Sequence, residues 1–129
     1  MKKIRVIQIN SARRAVKELE IDHTLENIQK LVGGNIERAY SISQTEDLFV
    51  NEEGMLGPMT FWFTFEGAHQ PFVGNGVIIG CNRETGDSVS TKIKPSDLAK
   101  SGKIEFFTLQ QIRNKILGAS MIEKVRGSK

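Results

Sequence analysis

Apolar and polar residues alternate from the start of the chain. Ile4–Ile9 (IRVIQI) keeps the period of two that a strand requires, and Asn10-Ser11 carries turn chemistry. Arg13–Ile21 is ambiguous, because Val16 and Leu19 suit a helix while Leu19 and Ile21 suit a strand. After Asp22 the period changes. Leu25, Ile28, Leu31 and Val32 share one helical face. Asp22 or Thr24 offers an oxygen to the orphan amides at the helix start, and Glu26 lies near the positive end of the dipole. Gly33-Gly34 supplies the left-handed stop. A complete short helix is predicted.

Asn35–Ile42 returns to the strand period, with Ile36, Arg38, Tyr40 and Ile42 on one face. Glu46–Asn51 predicts a strand centred on Leu48-Phe49-Val50, and Glu52-Glu53-Gly54 predicts a hairpin turn. In Thr60–Phe65 the residues Phe61, Phe63 and Phe65 form one greasy face. Trp62 points the other way, between Thr60 and Thr64. Three readings of it stay open: a second core layer, an oligomer interface, or a stacking surface for a ligand. Phe72–Asn82 predicts another strand region, punctuated by Gly74, Gly76 and Gly80, and Arg83–Asp87 a turn. Ser88–Ile93 alternates as a strand, Pro95–Lys100 reads as a helical turn, and Ile104–Phe107 as a short strand or connector. Thr108 and Gln111 form a capping box for a last helix along Leu109, Ile112 and Ile116. The expected fold is α+β: a mostly antiparallel sheet with one packed helix and a smaller C-terminal helix. No repeat or linker divides residues 1–129, so a single domain is expected.

Composition narrows the class. The chain has 129 residues, 39% hydrophobic and 26% charged, which is globular rather than disordered. A single cysteine, Cys81, excludes an internal disulfide and a cysteine-rich zinc site. No apolar run approaches the roughly 20 residues of a membrane-spanning helix, so a cytoplasmic protein without membrane contact is expected. Net charge is only +3, yet it is segregated. Residues 1–17 hold six bases and no acid, residues 18–53 hold nine acids, and residues 90–129 hold nine bases. Either the basic ends lie over the acidic middle or stay solvated, or they form a surface that meets phosphates. Lys2, Lys3, Arg13, Arg14, Arg113 and Lys115 are the candidates for nucleic-acid contact.

No catalytic constellation, metal site or cofactor motif is present. The glycines of Gly74–Gly80 precede Val77-Ile78-Ile79 rather than a helix start, so they read as bulges or close backbone approach rather than a phosphate loop. His23 and His69 lack metal-type partners, although His69 stands near Glu66 as a conceivable base. Cys81 reads as a small buried residue, and Glu52-Glu53 as a solvated turn. The ligand-binding candidates are Trp62, His69, Gly74, Asn75 and Gly76.

The segments Thr24–Gly34 (TLENIQKLVGG), Ile36-Glu37, Asn51–Gly54 (NEEG), Val77–Gly80 and Gly86-Asp87 together resemble a known family. It is the set of small domains encoded by phages, plasmids and conjugative elements of mostly Gram-positive bacteria, described as a domain of unknown function. The resemblance covers residues 1–92 and makes 93–129 a C-terminal helical extension. It implies a phage or mobile-element accessory protein in the host cell. A non-enzymatic binder is expected, a host-defence inhibitor that sequesters a nucleotide-type ligand or binds a host protein, with homo-oligomerisation open. The alternative is a nucleic-acid-binding regulator using the basic ends.

Overall fold

A computed structural model describes residues 2–54, 60–100, 102–111 and 114. The chain opens with a long hairpin, β1 (Lys3–Asn10) and β2 (Ala15–Asp22), in unbroken register from Lys3 opposite Asp22 to Asn10 opposite Ala15. The ambiguous stretch is therefore a strand. Its apolar positions pack only when paired with β1, where Leu19 faces Val6 and Ile21 faces Ile4. Helix α1 (Leu25–Val32) follows, and then strands β3 (Ile36–Ser43) and β4 (Glu46–Asn51). Next come β5 (Phe61–Phe65), β6 (Phe72–Val73), β7 (Asn75–Cys81) and β8 (Ser88–Val89). The short helix α2 (Pro95–Leu98) and strand β9 (Ile104–Thr108) complete the described elements.

Two antiparallel sheets result. The larger runs β2-β1-β7-β4-β3, with β8 on the end of β7, and the smaller runs β6-β5-β9. β7 is dry on both faces: Val77, Ile78 and Ile79 are each at most 1% exposed. On one side Val77 and Ile79 join Ile4, Val6 and the α1 residues Ile28 and Val32. On the other, Ile78 joins Ile7, Ile9, Leu48 and Val50 beneath Phe63, Phe65 and Phe72 of the small sheet. The fold is α+β in three layers: helix, large sheet, small sheet.

Several local expectations change. Asn51–Gly54 turns the chain, but β5 does not return along β4 as a hairpin. It pairs with β6 and β9, because β4 already has β3 on one side and β7 on the other. The region from Phe72 is not one strand. Gly74, at φ +78°, takes a left-handed conformation that lets the chain leave the small sheet and enter the large one. β3 does not keep one face either. Register shifts after Arg38 and Ser41 rotate it, so Ile36 packs in the α1 layer while Tyr40 and Ile42 pack between the sheets. There Tyr40 meets Phe65 at 5.9 Å between ring centres.

Of the predicted strand Ser88–Ile93, only Ser88–Val89 pairs. The continuation is held irregularly. The Arg5 amide donates to Ser90 Oγ at 2.9 Å, the Thr91 amide to the Arg5 carbonyl at 2.9 Å, and the Lys92 amide to the buried Glu46 carboxylate at 3.0 Å. The Thr108 capping box forms, with the Thr108 amide donating to Gln111 Oε1 at 2.9 Å. The expected apolar positions Ile112 and Ile116 lie outside the described residues.

Gly76 marks where the layers press hardest. A Cβ built there stands 2.7 Å from Phe63 Cζ and 3.0 Å from Leu48 Cδ1, and both side chains are fully buried. Gly76→Ala overpacks this contact and is expected to cost about 1–3 kcal/mol. Urea unfolding checks it; an unchanged midpoint would show that the layers can part freely.

Candidate ligand-binding site

Helix α1 is positioned by its own ends. Thr24 Oγ1 accepts from the Asn27 amide at 3.2 Å, and Gly33, at φ +84°, closes the other end by donating to the Gln29 carbonyl. The last carbonyls of the helix then meet side-chain amides from three strands. Gln8 of β1 donates to Leu31 O at 3.0 Å, Asn75 of β7 to Leu31 O at 3.4 Å, and Asn51 of β4 to Val32 O at 3.4 Å. Carbonyls at a helix C-terminus lack intrahelical donors, so these amides satisfy them and tie the helix end to the sheet. Asn51 also accepts the Glu53 amide at 2.8 Å, which joins the Glu52–Gly54 turn to the same point. Gly34 is needed beside it, since a Cβ there stands 2.9 Å from Asn51 Nδ2. The LVGG helix end and the NEEG turn thus converge through Asn51.

Next to this junction is a cavity of about 330 Å³. Val32 closes it from the helix, Asn51 and Asn75 from the large sheet, Ala12 from the β1–β2 turn, Phe61 from the small sheet and Gly74 from the chain between the sheets. No charged residue is among its described lining residues. Phe61 is 39% exposed, whereas Phe63 and Phe65 on the same side of β5 are buried. The strand runs past the core by one residue, leaving a phenyl ring at the cavity wall. Gly74 is fixed there by its amide, which donates to Phe61 O at 2.8 Å, and by its carbonyl, which accepts from Ser11 Oγ.

Two of the five residues expected at a ligand site, Gly74 and Asn75, do line this cavity. The others stand elsewhere. Trp62 is 5% exposed and offers no open stacking face, while Phe61, read as core, is the exposed ring. Gly76 is buried beneath Phe63. His69 is exposed on the loop after β5, and Glu66 is paired with Lys103 at 3.2 Å rather than with it.

The described basic candidates do not form one patch. Lys2 and Lys3 stand at one end of β1 and Arg13 and Arg14 beyond the other, about 25 Å of extended chain apart. Lys3 is also engaged by Asp22 at 3.1 Å. Arg113 and Lys115 lie outside the described residues.

A second polar cluster was not expected. Asp47, 3% exposed on β4, takes both terminal nitrogens of Arg83, at 2.8 and 3.0 Å. Hydrogen bonds to Asp47 hold the Arg83 guanidinium above its ordinary range. Arg83 also reaches Ser41 Oγ at 3.1 Å and Cys81 Sγ at 3.2 Å. These contacts make the pair a clamp between β3, β4 and the turn after β7. The only sequence signal for it was two adjacent acids heading an apolar strand. Among the described residues no group of three or more His, Cys, Asp or Glu side chains could hold a metal ion, and no helix is long and apolar enough to cross a membrane.

A family model covers most of the chain: residues 3–100 match the one described as Domain of unknown function (DUF3846), and the chain belongs to that family. The match runs beyond residue 92 and takes in α2. No curated protein and no solved structure matches the chain.

Asn51→Ala removes both the contact to the helix end and the one to the Glu53 amide. It is expected to cost about 1–2 kcal/mol and to speed amide exchange in the last turn of α1. Unchanged exchange there would show that the helix end is held without Asn51.

Proposed function

We propose that this family member is a non-enzymatic binding module whose cavity beside Phe61 holds the uncharged, flat part of a small ligand of nucleotide type. The observation that carries the reading is the half-exposed Phe61 ring on the wall of a cavity with no charged residue in its described lining. An open aromatic face costs solvation unless something covers it, and base-like rings stack on such faces. The volume is at the lower end of the range for small-molecule sites, enough for a ring system rather than a large cofactor. Asn75 donates through Nδ2, so its Oδ1 remains to accept from a ligand edge.

The protein is read further as a phage or mobile-element accessory factor that works by sequestration, withholding a nucleotide signal from a host defence. Sequestration needs a pocket and no reaction. Docking to a host protein is the other form of the same inhibitor role. A nucleic-acid regulator is less favoured, because the described basic candidates are split between the two ends of β1.

The test starts with protein purified from cells, heat-denatured, and its supernatant examined by mass spectrometry. A released small molecule that raises the melting temperature of fresh protein is the expected result. Phe61→Ala is expected to abolish that shift while moving the melting point of the free protein by less than a few degrees. An empty extract, together with no thermal shift from a panel of nucleosides and nucleotides, would overturn the reading.

A further inference from the structure

The β1–β2 turn that supplies Ala12 to the cavity wall also carries Arg13 and Arg14. Its shape is set by hydrogen bonds. The Arg13 amide donates to Asn10 Oδ1 at 3.1 Å, the Arg14 amide to Ser11 O at 3.3 Å, and Ser11 Oγ to Gly74 O on the cavity wall. Both arginines are exposed. Their electrostatic situation differs from that of the other arginines. Arg5 pairs with Glu18 at 2.8 Å, Arg83 with Asp47 at 2.8 Å, and Arg38 reaches Asp47 at 4.0 Å. Among the described residues, Arg13 and Arg14 alone of the five arginines have no carboxylate partner. Two exposed acids, Glu52 and Glu53, lie in sequence between the lining residues Asn51 and Gly54.

We infer that Arg13 and Arg14 form the anion-binding rim of this cavity, so that its ligand is a flat uncharged ring bearing a phosphate. The ring lies against Phe61 between the Asn51 and Asn75 amides, and the phosphate turns toward the arginine side and away from Glu52 and Glu53. Guanidinium groups suit this role because their planar donors match phosphate oxygens. The inference rests on the pocket reading above and adds to it the charge of the ligand and the direction in which it lies.

Isothermal titration with adenosine, guanosine, cytidine and uridine, each beside its 5′-monophosphate, tests it on the full chain. At least one monophosphate is expected to bind about tenfold tighter than its nucleoside, with the advantage shrinking as salt is raised. Replacing Arg13→Gln together with Arg14→Asn is expected to remove that advantage and keep the nucleoside affinity. Asparagine is chosen because Arg14 has φ of 53°, which it tolerates. Equal binding of nucleoside and monophosphate, or an advantage that survives the double substitution, overturns the inference and leaves the pocket reading standing. So does a heat-released ligand without phosphate. If no probe binds and the heat extract is empty, both fall.

Discussion

Strand β7 sits between β1 and β4 with apolar layers on both of its faces, and its burial dictates much of what surrounds it. A strand dry on both sides cannot alternate, which is why Val77, Ile78 and Ile79 run together. It also leaves no room where the layers come closest. Gly76 yields that room to Phe63 and Leu48, and Gly80 yields it to the backbone of Ser90. At its start the chain must drop from one sheet into the other, and Gly74 makes the step. The cavity wall therefore contains the pivot that the core requires.

That coupling bears on function. The cavity is not a groove added to a finished domain. It lies where the end of α1, the Asn51–Gly54 turn, the Gly74 pivot and the β1–β2 turn meet, and each is held by contacts to another. Gln8, Asn51 and Asn75 bring side-chain amides to the helix end, and Ser11 ties the arginine turn to Gly74. Under the binding reading proposed above, contacts that already hold the lining residues together lower the ordering cost of binding. The price is that Asn51 and Asn75 serve structure first, so their substitution tests the fold as much as the ligand. Phe61, Arg13 and Arg14 lie outside the core and separate the two.

Much of the fold was legible in local pattern. The α1 helix with its Thr24 cap and Gly33 stop, the strands β1 and β4, and the Thr108 capping box depend on neighbours within a few residues, and such features are written in the sequence. Expectations that depended on partners were less secure. The turn at Glu52–Gly54 was visible, but whether β5 returns along β4 depended on β7 taking that edge from elsewhere in the chain. β3 looked like a plain alternating strand because its bulges come from pairing with β4 and carry no residue signature. For the site, Gly74 and Asn75 were legible as unusual residues in an apolar strand. Of the three readings left open for Trp62, its burial fits the core layer, and Phe61 is the open ring, since parity assigns faces but not where a strand outruns the core.

By itself, then, the sequence determined the α1 helix with its ends, the strands whose pattern is locally regular, that the fold is α+β, and that its histidines and cysteine form no motif of metal or catalytic spacing. Only the tertiary structure decided that strands separated by dozens of residues build two sheets rather than one. It also decided that the buried Asp47 is paired with Arg83, that Phe61 rather than Trp62 is open, and that the turn carrying Arg13 and Arg14 is tied to Gly74 through Ser11. The reason is physical. Periodicity and capping are set by contacts a few residues apart, whereas exposure and the assembly of a site are set by which distant strands claim each edge and face.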